Sequence, residues 1–180
     1  MNIRHADPRH DSEACAAIYE PFVRGSAVSF EDVPPSPQEM AARIERVSQT
    51  HPFLVADDAD AIVGYAYATH HRDRAGYRWA CDVTVYVASF HQRKGVGRAL
   101  YRSLLELLAR QGLQVACAGI TLPNDASVAL HEACGFTQVG VYRRIGWKAG
   151  AWRDVAWWQL DLAPAEAGPP HEPGPPPRLA

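Results

Sequence analysis

An α+β fold, with one central, mostly antiparallel sheet of about seven strands flanked by about four helices, is what this 180-residue sequence predicts. Three observations carry that expectation. Apolar residues recur at helical spacing in four segments and as β-branched or aromatic runs in the rest. Two of the strand patterns are separated only by the acidic turn Asp57-Asp58-Ala59-Asp60, so they pair as a hairpin. Helical segments lie between Val87 and Val115 and between Thr121 and Phe136, where the chain must cross from one strand to the next.

Each element has its own signal. Ile3–Ala6 reads as a short first strand, and Asp11 or Ser12 can cap a helix running to about Arg24. A loop over Gly25–Val33 carries Val28-Ser29-Phe30-Glu31. Ser36-Pro37-Gln38-Glu39 then opens a helix with Ser at the cap, Pro at the first position and Glu at the third, and Pro52 marks the break after Thr50. Phe53–Ala56 and Ala61–Ala68 are the hairpin strands. A polar, arginine-rich connection over His70–Arg78 leads to a strand over Trp79–Val87. Val96, Leu100, Leu104 and Leu107/Leu108 mark one face of a helix over Gly95–Arg110, stopped by Gly112. Val115–Thr121 is a strand, Asn124 caps a short helix closed by Gly135, and Phe136–Ile145 and Val155–Leu162 are the last strands.

Composition narrows the function classes. A hydrophobic share of 47% and a charged share of 21% are those of an ordinary globular protein, and one domain over residues 1–162 is expected. The net charge of −2 gives no reason to expect nucleic acid or an anionic membrane as a partner. No apolar run reaches membrane-spanning length, and the N-terminal residues lack a signal peptide's apolar core. Cys15, Cys81, Cys117 and Cys134 are scattered through apolar patterns, which reads as reduced thiols of a cytoplasmic protein; no metal is expected. Half of the 14 prolines fall in residues 163–180, so that segment is expected to be a disordered or polyproline tail.

The stretch from Asp82 to Tyr101 carries the chemistry. A strand feeds a loop with two glycines and then a helix, and a helix N-terminus offers unpaired N–H groups and partial positive charge to an anion. Gly95 and Gly97 leave room for a phosphate to approach the backbone, with Arg93, Lys94 and Arg98 beside it. The spacing is neither the nucleotide-triphosphate loop nor the dinucleotide fingerprint, since position 100 is Leu.

Gln92-Arg93-Lys94-Gly95-Val96-Gly97 resembles the Gln/Arg-x-x-Gly-x-Gly/Ala signature of GNAT N-acetyltransferases, whose loop amides grip the pyrophosphate of acetyl-CoA. Asn124-x-x-Ser127-x-x-x-His131-x-x-x-Gly135-Phe136 resembles a second segment of that superfamily, with His131 where a thiolate-protonating Tyr is usual. Tyr77-Arg78-Trp79, Thr84-Val85-Tyr86-Val87, Leu122-Pro123-Asn124-Asp125, Gly140-Val141 and Trp157-Trp158-Gln159-Leu160 together resemble the phosphinothricin N-acetyltransferases, over about Ile3 to Leu162. The resemblance implies the GNAT fold, acetyl-CoA as co-substrate and a homodimer. It implies cofactor contacts from the backbone of Val85, Tyr86 and Val87, from Arg93, Lys94, Gly95, Val96, Gly97 and Arg98, and from Asn124. It implies a catalytic pair of Asp82 and His131. Asp82 stands where Glu is more usual, and the shorter arm favours a bridging water.

The chemistry asks for the same groups. An amine must be neutral to attack a thioester, so a proton acceptor is needed on its side, and a departing thiolate gains from a donor. Asp82 suits the first role and His131 the second, since imidazole titrates near neutrality. Arg72, Arg74 and Arg78 could pair with a substrate carboxylate or phosphinate, with Phe30 and Tyr77 as apolar walls. The reading is an N-acetyltransferase for a small amino-acid-like amine, of which phosphinothricin and methionine sulfoximine or sulfone are those the resemblance names. Against it stand a non-catalytic acyl-CoA-binding domain and an acetyltransferase for another amine, amino acid or protein; an acid and a base together favour the enzyme.

Overall fold

The computed structural model describes residues 1–59, 61–164 and 170–179. In chain order the elements are β1 (Asn2–His5), α1 (Ser12–Gly25), α2 (Pro37–Ser48), β2 (Phe53–Asp58), β3 (Ala61–His70), β4 (Ala80–Val87), α3 (Val96–Gln111), β5 (Val115–Thr121), α4 (Asp125–Ala133), β6 (Thr137–Lys148) and β7 (Ala151–Asp161). One-turn 3₁₀ helices lie at Ala75–Tyr77 and Ser89–His91. Asp60 of the acidic turn lies outside the described residues.

Seven strands form one sheet in the order β1-β2-β3-β4-β5-β7-β6. Every neighbouring pair is antiparallel except β4 and β5, which run parallel because α3 carries the chain between them. Two apolar layers cover the sheet. On one face α3 packs Val96, Leu100, Leu104, Leu107 and Leu108 onto Val83, Ala116 and Ala118. On the other, α1 and α2 pack Ile18, Tyr19, Met40, Ile44 and Val47 onto Phe53, Val55 and Tyr65. The period of two along each strand therefore sorts residues between a face under α3 and a face under α1 and α2.

The caps are those the sequence predicts at α2, where Ser36 accepts from the Glu39 amide at 3.2 Å and the Glu39 carboxylate returns to the Ser36 amide at 2.7 Å. At α1 they differ. Asp11 makes no side-chain cap; its carboxylate holds Arg4 of β1 at 2.7 and 2.8 Å and the Asp7 amide at 2.7 Å, so it ties the first strand to the first helix.

The described part of the tail makes contacts with the domain. In the described part, Glu172 pairs with Arg78 at 2.8 Å, the His171 carbonyl accepts from the Trp79 indole at 2.8 Å, and the Gly174 amide donates to the Gln111 carbonyl at 2.8 Å. Leu179 packs on the edge of the core, its amide 3.2 Å from His5 Nε2. Composition argued for a disordered or polyproline tail because little there is apolar; the described residues make backbone and charged contacts and, at Leu179, an apolar one. The part of that expectation falling on residues 165–169 and 180 lies outside the described residues.

Candidate active site

The parallel pair β4–β5 is short. It matches Ala80 with Val115, Cys81 with Ala116 and Asp82 with Cys117, and no further pair follows among the described residues, although β4 continues to Val87 and β5 to Thr121. The sheet thus opens at Asp82. The Ala88 amide donates to Val63 at 2.9 Å, so by alternation Tyr86 turns its polar groups toward β3, while Val85 and Val87 turn theirs toward the opening. Gln92 Nε2 donates to the Val87 carbonyl there, at 3.3 Å.

Beyond the opening the loop reaches α3. Gly95 stands at the helix N-cap with φ of 84°, a backbone form that suits glycine, and no neighbour lies within 4 Å of where a Cβ would be. The Ala99 amide makes the first helical bond, to the Gly95 carbonyl at 3.0 Å. This leaves the amides of Val96, Gly97 and Arg98 without a helical partner and facing the dipole's positive end. Gly97 also serves packing: its Cβ would meet Leu130 Cδ2 at 3.1 Å, so glycine there lets α3 approach α4. Gly95, Arg98, Ala99, Arg102, Leu105, Ala133 and Cys134 enclose a cavity of about 590 Å³ between those helices.

On the other face of the sheet, under α1 and α2, Asp82 shares its side with Thr69, its partner on β3, and with Cys117, its partner on β5. The carboxylate Oδ1 lies 2.7 Å from Nδ1 of His71. Burial pushes the Asp82 carboxyl above its ordinary value, and the hydrogen bond from His71 opposes that shift. The His71 ring meets Tyr77 and Trp157 edge-on, each with centroids 5.9 Å apart, and Arg72 lies 6.0 Å over the Trp157 ring. Trp157 pairs in register with Gly119 of β5, where a Cβ would stand 3.5 Å from the indole. Its indole nitrogen is buried without a hydrogen-bond partner. Burial pushes the Cys117 thiol up to about 11, so it stays protonated. His71, Asp82 and Cys117 bring ligand-type atoms within 4.8 Å of one another.

A second cavity, of about 310 Å³, opens on this same face, lined by Tyr19, Glu31, Arg43, Tyr65, Tyr67 and Thr69 among others. Glu31 accepts from both terminal nitrogens of Arg43 at 2.7 Å and from the Tyr19 hydroxyl at 3.0 Å. The Arg43 hydrogen bonds hold the Glu31 carboxyl below its ordinary value.

His131 lies elsewhere. It is 3% exposed, on α4 against the α3 layer, stacked edge-on between Tyr101 and Phe136. The Ser127 carbonyl, 2.7 Å from Nδ1, can only accept, so Nδ1 carries the proton. Nε2, at 3.0 Å, then accepts from the Tyr101 hydroxyl. Burial lowers the His131 pKa, which keeps the ring neutral.

The sequence matches the family profile of the acetyltransferase (GNAT) domain over residues 4–157. The chain belongs to the GNAT acetyltransferases. It is 41% identical over 152 residues to a phosphinothricin N-acetyltransferase of Streptomyces viridochromogenes, covering 84% of this chain and 83% of that one. It is 35% identical over 163 residues to an L-methionine sulfoximine/L-methionine sulfone acetyltransferase of Salmonella typhimurium, covering 90% and 95%. Among solved structures it superposes on the phosphinothricin acetyltransferase of Sinorhizobium meliloti in complex with acetyl-CoA, with a TM-score of 0.89, 33% identity, and 95% and 93% of the two chains covered.

Within this GNAT domain the expected residues fall into three sets. Gly95 and Arg98 line the cavity between α3 and α4, and Val85 and Val87 edge the opening; Arg93 and Lys94 are exposed on the loop. Val96 is a core residue, and Asn124 caps α4 with its side-chain oxygen 3.2 Å from the Ser127 amide. Around Asp82 stand Tyr77 and Arg72, whereas Arg74 is exposed on the β3–β4 connection. Phe30 packs against Gly146 of β6, and Arg78 lies 4.3 Å over the Trp79 ring with its charge committed to Glu172. An Arg78 so engaged does not face the Asp82 group. The sequence reading missed His71, Cys117, Trp157 and Arg102. The first three meet only through strand register; Arg102 sits one helical turn beyond Arg98, a spacing the sequence does display.

Proposed function

We propose that this GNAT domain transfers the acetyl group of acetyl-CoA to the amine of a small amino-acid-like substrate such as phosphinothricin or methionine sulfoximine. One observation carries the reading. The sheet opens at Asp82, with a helix N-terminus and a basic-edged cavity on one face, and a half-buried carboxylate on the other, the face that also carries an aromatic, arginine-edged cavity. A thioester laid along Val85 and Val87 would reach from the first face to the second. The free amides of Val96, Gly97 and Arg98, with Arg98 and Arg102, suit the pyrophosphate. The relatives' names support the substrate class.

In this mechanism the Asp82 side removes a proton from the substrate ammonium. The neutral nitrogen attacks the thioester carbon, the C–S bond breaks, and the proton released as the C–N bond matures balances the departing thiolate. His131, with both ring nitrogens engaged, acts by fixing α4 against α3; donating directly to the thiolate would require the Tyr101 contact to open. Release of free thiol from acetyl-CoA across a panel of small amines tests the proposal. Phosphinothricin and methionine sulfoximine should outrun a carboxylate-free amine of the same length. Acetyl-CoA binding without thiol release from any amine would instead favour an acyl-CoA-binding domain. A homodimer fits the exposed row of Ile145, Trp147 and Trp152 on the β6–β7 hairpin, and sedimentation velocity at two concentrations decides it.

A further inference from the structure

The reaction needs a base, and the sequence offers Asp82. One of its two oxygens is already committed to a neighbour. Oδ1 is already 2.7 Å from His71 Nδ1, and a carboxylate can only accept, so Nδ1 of that pair carries the hydrogen. The lone pair that remains on the imidazole is at Nε2.

The fold builds this pairing where β3 and β4 lie side by side within the sheet. Thr69 pairs with Asp82 across β3 and β4, and the His71 amide extends the ladder to the Ala80 carbonyl at 3.4 Å. By the period of two, His71 and Thr69 share a face, so His71 is the diagonal neighbour of Asp82 at the point where β4 and β5 part. The ring is held on its other sides by Tyr77 of the β3–β4 connection and by Trp157 of β7. The remaining ionisable neighbours are Cys117 of β5, kept protonated by burial, and Arg72, whose terminal nitrogen donates to the His71 carbonyl at 2.9 Å. Neither competes as a base.

We propose that the group that deprotonates the substrate amine is Nε2 of His71, with Asp82 as the carboxylate that fixes its tautomer and stabilises the imidazolium. This rests on the acetyltransferase reading above and specifies its base. The balance is simple. Nε2 takes one proton from the substrate ammonium, the imidazolium is held by the Asp82 carboxylate, and that proton passes to solvent after product leaves. The amine's second proton accompanies the thiolate, so one amide, one thiol and one proton form per acetyl group.

The test compares kcat/KM against pH for wild type, His71→Asn and Asp82→Asn, with acetyl-CoA affinity measured by calorimetry. The asparagine amide can still donate to Asp82 but cannot accept a proton. His71→Asn should lose about 10²–10⁴-fold in kcat/KM, keep its acetyl-CoA affinity and folded circular dichroism, and lose the acid limb of the wild-type profile. His71→Ala should regain activity with added imidazole. A His71→Asn protein within threefold of wild type, or a His71→Ala protein that imidazole does not rescue, would overturn the assignment and leave the acetyltransferase reading intact. A wild-type protein releasing no thiol with any amine would overturn that reading, and this one with it.

Discussion

His71 and His131 stand on opposite faces of one sheet, and both have Nδ1 bonded to an oxygen 2.7 Å away. The oxygens differ. Asp82 supplies a carboxylate to His71; the Ser127 carbonyl and Tyr101 hydroxyl satisfy a neutral ring at His131. Burial differs too, with His71 partly exposed and His131 buried. A proton carrier needs a partner for its charged state and a path to its substrate. His71 has a carboxylate partner and a partly exposed side chain, and His131 has the arrangement of a core polar group.

The largest effect expected from this contrast is on stability against pH. Burial lowers the folded-state pKa of His131, and it lowers that of His51 to about 4. Above about 6.5 both rings are neutral in both states and no penalty arises. As pH falls below that value the unfolded chain takes up protons that the folded chain refuses. Stability should then drop by up to ~1.4 kcal/mol per pH unit for each histidine, continuing toward pH 4 for His51. Chemical denaturation at pH 7 and pH 5 measures it; equal stabilities would show that these rings are hydrated in the folded state.

Next comes the substitution that separates packing from proton transfer. His131→Phe keeps the aromatic volume and leaves the buried Tyr101 hydroxyl without its acceptor. The expected cost is about 1–3 kcal/mol, or about 3–10 °C of Tm for a domain of this size. Turnover per folded molecule should change less than threefold. A loss of about 10²-fold with unchanged Tm would restore His131 as the donor to the thiolate.

A smaller effect is expected at the α3–α4 seam. Gly97→Asp places a Cβ against Leu130 and a negative charge at the helix N-terminus, so Tm and acetyl-CoA affinity should fall together. Calorimetry should show affinity down by about tenfold or more. Gly95→Ala, strained by the positive φ but open to solvent, should cost roughly 1–2 kcal/mol with less effect on affinity. The reverse order would place the phosphate contact at the open N-cap, Gly95, and not at Gly97.

The fold was legible because its signals are local. Ser36 with Glu39 opens α2, Gly112 with φ of 94° closes α3, and the leucine spacing of α3 gives its buried face. The anion loop is local for the same reason. His71 was not legible as a partner of Asp82, because the contact depends on the register of two strands separated by a nine-residue connection. Trp157 reaches the site through its pairing with Gly119, a register no local pattern encodes. His131 is the opposite case: its motif position points to chemistry, while its bond to Ser127 is an ordinary i−4 contact inside the helix. Residue type was readable, and environment was not.

The smallest expected effect concerns the tail, and it sharpens the contrast by removing contacts remote from both histidines. Deleting residues 170–180 breaks the Arg78–Glu172 pair, the Trp79–His171 bond and the two bonds between Gln111 and Gly174. The ion pair is largely exposed, with 39% and 69% of its side chains in solvent, and such pairs contribute ~0–1 kcal/mol. Each hydrogen bond contributes about 0.5–1.5 kcal/mol before the cost of ordering about ten residues, itself roughly 1 kcal/mol or more apiece. The ordering cost is at least as large as these contributions, so Tm should fall by no more than about 3 °C. Turnover should stay unchanged, because Arg78 faces the tail and not Asp82. If truncation instead freed Arg78 to act on substrate, the Michaelis constant for phosphinothricin would fall in the truncated protein, and Arg78→Ala would cancel the gain.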